Sequence, residues 1–262
     1  MPCSDSSQIV AVSGKGGVGK TVITALMAIV LKEASGVRML LIDGDPSMSH
    51  LARILGLGVE RTLEDVREDI IRAAGESDEE AREEVVRSLD YYLLETLVEE
   101  KGFNLLAIGT PVSPGCFCPA NTLLRDAIES LSKNFDVTIV DCEAGLEQIN
   151  RKVVRAVGRL LIVTDPTRRG LQTAEAIRKT AKKYTHCREM GLVINRIRNR
   201  DEEKWIREQA ETMGFSVLGV VPEDENISKL DALGKPITDV PSGAPSLEAV
   251  KRIVNNIILQ EA

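Results

Sequence analysis

Aromatic residues are scarce in this chain of 262 residues, which has four phenylalanines, three tyrosines and one tryptophan. Proteins that coat single-stranded nucleic acid stack bases on aromatic side chains, and this chain has little material for that task. Positive charge is also in deficit, because 33 lysines and arginines face 40 aspartates and glutamates and leave a net charge of −7. A nucleic-acid-binding surface needs a basic face, so we predict no nucleic acid partner.

Long hydrophobic runs are missing as well. No apolar stretch reaches the roughly 18 residues that a membrane span requires, and the first residues lack the basic and apolar regions of a signal peptide. Five cysteines are an odd number and do not resemble the disulfide framework of a small secreted protein. We therefore expect a cytoplasmic protein with free thiols and no stable membrane insertion.

Short apolar runs alternate with helical stretches along nearly the whole chain. Because these runs are apolar almost throughout, they are typical of parallel strands that are covered on both faces. We predict strands at 9–13, 37–43, 103–108, 137–141, 160–164, 191–195 and 217–221. The repeating order predicts one α/β domain over residues 1–262, with a mostly parallel, doubly wound sheet of about seven or eight strands and helices on both faces.

Residues 59–101 interrupt this alternation, because they are crowded with charge and contain no predicted strand. Capping boxes that begin at Thr62 and Ser77 predict two amphipathic helices. The second helix would place an apolar residue at every fourth position, at Ala81, Val85, Leu89, Leu93 and Leu97. We interpret about 59–101 as a helical insertion that either covers a sheet edge or docks a partner. A last helix is predicted from near Pro245.

The segment Gly-Lys-Gly-Gly-Val-Gly-Lys-Thr at 14–21 follows the first strand and opens the first helix. This is the Walker A pattern in the context it requires, since glycines let successive N–H groups converge on phosphate oxygens at a helix N-terminus. Lys20 should reach the β- and γ-phosphates, and the Thr21 hydroxyl should reach Mg²⁺. The predicted nucleotide-binding residues of the loop are Gly14, Lys15, Gly16, Gly17, Val18, Gly19, Lys20, Thr21 and Val22.

A plain phosphate loop does not require the lysine at its second position, Lys15. With this lysine the loop resembles the deviant Walker A motif of the class that contains the nitrogenase iron protein and the MinD cell-division ATPases, and the resemblance covers essentially the whole chain. In that class the lysine points at the nucleotide of the partner subunit, so the resemblance implies a homodimer that forms with ATP. A second cation near the γ-phosphate would neutralise charge as an arginine finger does.

Two acidic segments stand where this class has its switch regions. Asp43-Gly-Asp45-Pro46 ends the second strand and resembles switch I, in which Asp45 would orient the attacking water. Asp141-Cys-Glu-Ala-Gly145 ends the fourth strand and resembles switch II, in which Asp141 would hold the hydration shell of Mg²⁺. Ligands of open α/β sheets bind at these strand ends. The resemblance thus implies a Mg²⁺-dependent ATPase whose catalytic residues are Lys15, Lys20, Asp45 and Asp141.

The base is predicted to be adenine. A common guanine site needs Asn-Lys-x-Asp, whereas this chain has Asn195-Arg-Ile-Arg198 after the sixth strand and no aspartate to bind the guanine amino group. Asn195, Pro222 and Glu223 match the adenine-side elements of the resembled class.

A Cys-x-Cys pair, Cys116 and Cys118, lies in the loop after the third strand, at about 110–120. Two thiolates are too few for a closed metal site, but the two copies of a symmetric dimer supply four. The alternative is that both are inert loop thiols. A helix is predicted to follow from near Asn121.

The loop, both switches and the Cys-x-Cys pair together resemble the nickel-insertion ATPases of the CooC type, which mature carbon monoxide dehydrogenase and acetyl-CoA synthase. The resemblance implies a metallochaperone that dimerises on binding ATP or metal, carries Ni²⁺ on four shared cysteines and delivers it to a client nickel enzyme. Nickel suits four sulfur ligands, and Zn²⁺ would compete for the same site. One departure is Val22, where many relatives have a second threonine.

Other functions share the same ATPase core. A membrane-cycling division regulator would end in a basic amphipathic helix, and this chain has no cation after Arg252. A DNA-segregation ATPase would need a basic surface. An electron donor like the nitrogenase iron protein needs widely spaced cysteines for a shared [4Fe–4S] cluster. Cys116 and Cys142 could be proposed for it, but Cys142 lies inside switch II and is expected to be a buried thiol at the end of a strand. His50 and His186 are each predicted to be surface or capping residues.

Overall fold

The structure is a computed structural model that describes residues 8–34, 36–46, 48–75, 88–110, 118–142, 156–184 and 186–259. Its strands are β1 (Gln8–Gly14), β2 (Met39–Asp43), β3 (Val98–Glu100), β4 (Phe103–Ala107), β5 (Val137–Asp141), β6 (Ala156–Thr164), β7 (His186–Ile197) and β8 (Val217–Pro222). Its helices are α1 (Lys20–Glu33), α2 (His50–Ile54), α3 (Leu63–Gly75), α4 (Leu89–Glu95), α5 (Cys118–Ser132), α6 (Arg168–Tyr184), α7 (Arg200–Thr212), α8 (Glu225–Ala232) and α9 (Pro245–Val254). A 3₁₀ turn (Ile237–Asp239) precedes α9, and a π-helical turn (Asn255–Leu259) follows it.

The eight strands form one sheet in the order β3-β4-β2-β5-β1-β6-β7-β8. Every neighbouring pair is parallel except β3 and β4. The predicted α/β fold with a mostly parallel sheet is therefore confirmed. All seven predicted strands exist, and β6 and β7 begin several residues earlier than predicted.

The core lies in two layers, one on each face of the sheet. Along β1, Val10 and Val12 belong to one layer and Ala11 belongs to the other, although all three side chains are fully buried. Helices α1 and α9 cover the first face, and α3, α5, α6 and α7 cover the second. Burial on both faces explains why the central strands are apolar at most positions rather than at alternate ones.

The prediction that residues 59–101 contain no strand was wrong, because Val98–Glu100 forms the edge strand β3. This strand pairs antiparallel with β4 across a two-residue turn in which Gly102 has a φ of +98°. Glu99 and Glu100 are exposed, so the strand lacks the apolar run by which the others were predicted. Short, charged edge strands also discourage pairing with other sheets.

The insertion agrees with its prediction at the first helix and only partly at the second. The capping box forms, since the Thr62 N–H donates to Asp65 Oδ2 (2.7 Å) and the Asp65 N–H donates to Thr62 Oγ1 (3.4 Å). In the second helix Leu89 and Leu93 are buried as predicted, but α4 ends at Glu95 and excludes Leu97. The predicted stripe positions 81 and 85 lie outside the described residues.

The sheet topology gathers the strand ends that carry the predicted site. Strands β2, β5 and β1 are adjacent, and their register places Asp43 beside Asp141 and Asp141 beside Val12, two residues before the phosphate loop. Among the described residues, no helix is long and apolar enough to cross a membrane.

Candidate nucleotide-binding site

The phosphate loop joins the end of β1 to the start of α1. Gly19 occupies the left-handed region with a φ of +93°, and a Cβ there would lie 2.5 Å from the Asn195 amide nitrogen. A Cβ on Gly14 would lie 2.2 Å from the Val163 carbonyl oxygen. Both positions therefore require glycine. The first turn of α1 carries no acidic residue, so the positive end of the helix is available to an anion.

The two lysines of the loop make different contacts. Lys20 Nζ donates to the Lys15 carbonyl oxygen at 3.2 Å, which holds the loop closed over the helix N-terminus. Lys15 Nζ lies 4.0 Å from Asp165 Oδ2, and both side chains are partly exposed. Lys15 thus extends from the loop toward the end of β6, where a loose and solvated ion pair is weakly held.

Asp141 sits beneath the loop with only 4% of its surface exposed. The pKa of Asp141 is raised to about 7, chiefly by burial, with a smaller contribution from the nearby Asp43 and Asp45 carboxylates, whereas a hydrogen bond from Thr21 and the charge of Lys20 oppose the rise. The Thr24 hydroxyl also reaches Asp141 Oδ1, at 3.5 Å. A buried carboxylate beside the Thr21 hydroxyl is an all-oxygen donor set of the kind that Mg²⁺ prefers, so these residues fit that cation.

Asp43 accepts hydrogen bonds from the backbone of switch I and of α2, a role that the sequence analysis did not predict. Its side chain is fully buried, and burial raises the pKa of Asp43, while three backbone N–H groups counteract this rise. Oδ1 accepts from the Asp45 N–H (3.2 Å), and Oδ2 accepts from the N–H groups of Leu51 (2.8 Å) and Ala52 (3.3 Å). One carboxylate therefore fixes both the backbone of Asp45 and the N-terminus of α2.

The predicted base-side residues converge on the far end of the loop. The Asn195 side chain is buried, and its Nδ2 donates to the Val18 carbonyl oxygen at 2.8 Å, so it braces the phosphate loop. Pro222 and Glu223 line the same cleft as Asn195, and the Glu223 N–H donates to the Ile197 carbonyl oxygen (2.9 Å).

Arg196 was not predicted as a site residue. It stands at an irregularity of β7 with a φ of +61°, and its exposed side chain borders the same space. A non-glycine residue in this conformation is strained, and such strain concentrates at functional sites.

These elements enclose a cleft of about 890 Å³. The predicted site residues that line it are Gly16, Gly17, Gly19, Lys20, Thr21, Val22, Asp45, Asp141, Asn195, Pro222 and Glu223. Its volume lies within the range of small-molecule and cofactor sites, about 300–1,000 Å³. Gly14, Lys15 and Val18 do not line this cleft.

His50 is a residue of the cleft that the sequence analysis missed. It begins α2, and its Nε2 lies 3.7 Å from Asp45 Oδ2. Little in the sequence signals this contact, because four residues separate Asp45 from His50 and no motif links them.

Of the cysteines considered in the sequence analysis, the structure describes some and not others. Cys116 lies outside the described residues, and Cys118 is the first residue of α5, which begins three residues before the predicted position near Asn121. Cys142 is buried as expected, and burial raises the pKa of its thiol well above the ordinary value. In the described part of the chain, no cluster of three or more histidine, cysteine, aspartate or glutamate residues has the geometry of a metal site.

Comparisons with known proteins agree with this geometry. An uncharacterized ATP-binding protein of Methanocaldococcus jannaschii is 34% identical over 95% of this chain and 98% of its own length. The carbon monoxide dehydrogenase accessory protein CooC of Rhodospirillum rubrum is 30% identical over 86% of this chain and 87% of its own. The septum site-determining protein MinD of Bacillus subtilis is 27% identical over 95% of this chain and 88% of its own.

Among solved structures, MinD of Pyrococcus horikoshii complexed with Mg-ADP matches the fold with a TM-score of 0.71 and 23% identity, over 98% of each chain. The family model described as the CobQ/CobB/MinD/ParA nucleotide binding domain matches residues 9–237. Together with the phosphate loop and its cleft, this match shows that the chain belongs to the CobQ/CobB/MinD/ParA family of P-loop ATPases.

Proposed function

We propose that this ATPase is a metallochaperone that dimerises on binding ATP or metal, carries Ni²⁺ as cargo on Cys116 and Cys118 of both subunits, and delivers it to carbon monoxide dehydrogenase or acetyl-CoA synthase. The observation that supports the proposal is that two features occur together in this chain. The chain is similar over most of its length to CooC, a carbon monoxide dehydrogenase accessory protein, and it has a Cys-x-Cys pair. Four thiolates suit nickel, and Zn²⁺ is the expected competitor.

The position of the pair in the fold supports communication with the nucleotide. Cys118 opens α5, and the chain passes from α5 into β5, which ends at Asp141. Helix α5 is anchored on the sheet by Leu124 and Ile128, which are 5% and 0% exposed. A displacement of Asp141 would therefore reach the cysteine loop through one packed helix and one strand.

We assign the hydrolytic roles as follows. Phosphate oxygens replace the Lys15 carbonyl as the acceptor for Lys20, which now holds the loop closed. Asp45 orients the water whose oxygen bonds to the γ-phosphorus while the bond from that phosphorus to the ADP oxygen breaks. Lys15 leaves Asp165 and reaches the nucleotide of the partner subunit. Mg²⁺, held through Thr21 and Asp141, would supply positive charge to the phosphates.

Metal binding to purified protein tests the cargo site. The wild type should bind about one Ni²⁺ per two chains, because each subunit supplies half of the ligands. Cys116→Ser/Cys118→Ser should abolish this binding. Cys187→Ser is the matched control, since Cys187 lies on β7 and its Sγ contacts the Glu189 carbonyl oxygen. Retained nickel binding in the double variant would remove the cysteines from the proposal.

A second candidate is a MinD-like positioning ATPase, which the similarity to Bacillus subtilis MinD over 95% of the chain favours. Such a protein would bind anionic lipid vesicles in the presence of ATP and release them after hydrolysis. A sedimentation assay with vesicles, with ATP or ADP, separates the two functions. The metallochaperone proposal predicts no nucleotide-dependent sedimentation.

An iron–sulfur ATPase is a third candidate. It would show visible absorption after reconstitution with iron and sulfide, and the metallochaperone would not.

A further inference from the structure

His50 and Asp45 face each other at the phosphate end of the cleft. The distance from His50 Nε2 to Asp45 Oδ2 is 3.7 Å, and the two side chains are 48% and 24% exposed. This separation is slightly longer than a hydrogen bond. In ligand-free enzymes catalytic hydrogen bonds are often long and shorten when substrate binds, so the pair is close enough to join.

Backbone hydrogen bonds fix the chain at Asp45 and at the start of α2, the two points from which these side chains project. Asp43 accepts the Asp45 N–H on one carboxylate oxygen and the Leu51 and Ala52 N–H groups of α2 on the other. The His50 N–H donates to the Met48 carbonyl oxygen at 2.6 Å. Both ends of the loop are therefore attached to one buried carboxylate, and the His50 and Asp45 side chains project from fixed points.

The neighbouring cation is directed elsewhere. Arg53, one turn further along α2, places its Nη1 3.7 Å from the Met48 sulfur. His50 Nε2 lies 3.7 Å from Asp45 Oδ2. A neutral imidazole whose Nε2 carries hydrogen can donate to a carboxylate oxygen.

We propose that His50 is a positioning residue for ATP hydrolysis, which donates from Nε2 to Asp45 Oδ2 and so turns Oδ1 toward the attacking water. This inference rests on the role proposed above for Asp45. A hydrogen bond from His50 would favour those orientations of the Asp45 carboxylate that direct the water in line with the γ-phosphorus. Small errors in such alignment are costly in rate.

Steady-state ATP hydrolysis by the full chain tests the proposal. His50→Ala should lower kcat by roughly tenfold while the KM for ATP changes by less than about twofold, because the lost contact acts on orientation and not on nucleotide binding. His50→Gln should recover most of the rate, since its amide nitrogen can donate from a similar position. Met48→Ala is the control for disturbance of the loop and should keep the wild-type rate, because it retains the backbone carbonyl.

A double-mutant cycle separates positioning from a structural effect. In the Asp45→Ala background, His50→Ala should cause no further loss, because the group it orients is gone. A further loss of comparable size would mean that His50 acts independently of Asp45 and would overturn the proposal. A wild-type kcat for His50→Ala beside an Asp45→Ala variant with a lowered but measurable kcat would overturn it as well. If Asp45→Ala itself hydrolysed ATP at the wild-type rate, the role of Asp45 and the inference about His50 would both fail.

Discussion

Replacing Asp141 by asparagine should remove a large part of the pH dependence of stability in the protein without nucleotide. The pKa of this carboxyl is about 7 in the folded chain, against 3.8 in a solvated aspartate. The folded state therefore binds the proton more tightly than the unfolded state, and stability falls as pH rises from the lower value to the higher. At about 1.4 kcal/mol per pKa unit, the full penalty for ionised Asp141 is about 4 kcal/mol.

Urea denaturation at several pH values measures this effect. Between about pH 5 and pH 8, the Asp141 carboxyl should lower the unfolding free energy by about 2–3 kcal/mol. Asp141→Asn should lose this component of the slope, whereas the exposed Asp239→Asn should keep it. Identical slopes in wild type and Asp141→Asn would refute the claim that burial dominates this site.

The same carboxyl links pH to Mg²⁺. Protons and Mg²⁺ compete for Asp141, so the affinity for Mg²⁺ with ATP should fall as pH drops below about 7. A magnesium titration monitored with a fluorescent ATP analogue measures the trend in wild type. Affinity independent of pH in this range would show that Asp141 does not hold the cation or its hydration shell.

Three further outcomes follow from contacts in and near the site. Lys15→Ala should bind nucleotide normally but fail to form a dimer with ATP, and an unchanged dimer fraction in size-exclusion chromatography would contradict the role of Lys15 across the interface. Asn195→Ala should leave the Val18 carbonyl oxygen without its hydrogen-bond donor, which should lower the free energy of unfolding by about 1–3 kcal/mol and weaken ATP binding. Wild-type ATP affinity in calorimetry would show that the phosphate loop does not need this hydrogen bond. Arg67→Ala should strand Glu64, which is 3% exposed, and destabilise the fold by about 3–5 kcal/mol in urea. A loss below about 1 kcal/mol would mean that this ion pair is solvated.

The central strands β2 and β5 were predictable because every residue in them is buried and most of those residues are apolar. Leu40, Leu41 and Ile42 of β2, for example, are all fully buried. The edge strand β3 escaped prediction because an exposed edge tolerates charge, as Glu99 and Glu100 show. Its pairing depends on the turn at Gly102 and on β4, not on a hydrophobic run of its own.

The phosphate loop was also predictable, because its chemistry requires a contiguous set of residues. The rest of the site depends on contacts between distant positions. Asn195 donates to Val18 across 177 residues, and nothing in the local sequence indicates that bond. The roles of Asp43 and His50 likewise arise from the path of an irregular loop, for which neither periodicity nor spacing gives a signal.

The most direct test of the account is the coupling between nickel and nucleotide. Equilibrium titration with Ni²⁺ should be performed on the wild-type protein with and without a non-hydrolysable ATP analogue. Because metal and ATP both favour the dimer in this account, each must raise the affinity for the other, typically by about 5–150-fold. A nickel affinity that rises by this factor when the analogue is present is the predicted result. Equal affinity in both conditions would contradict the central claim, because nucleotide would then have no control over the cargo.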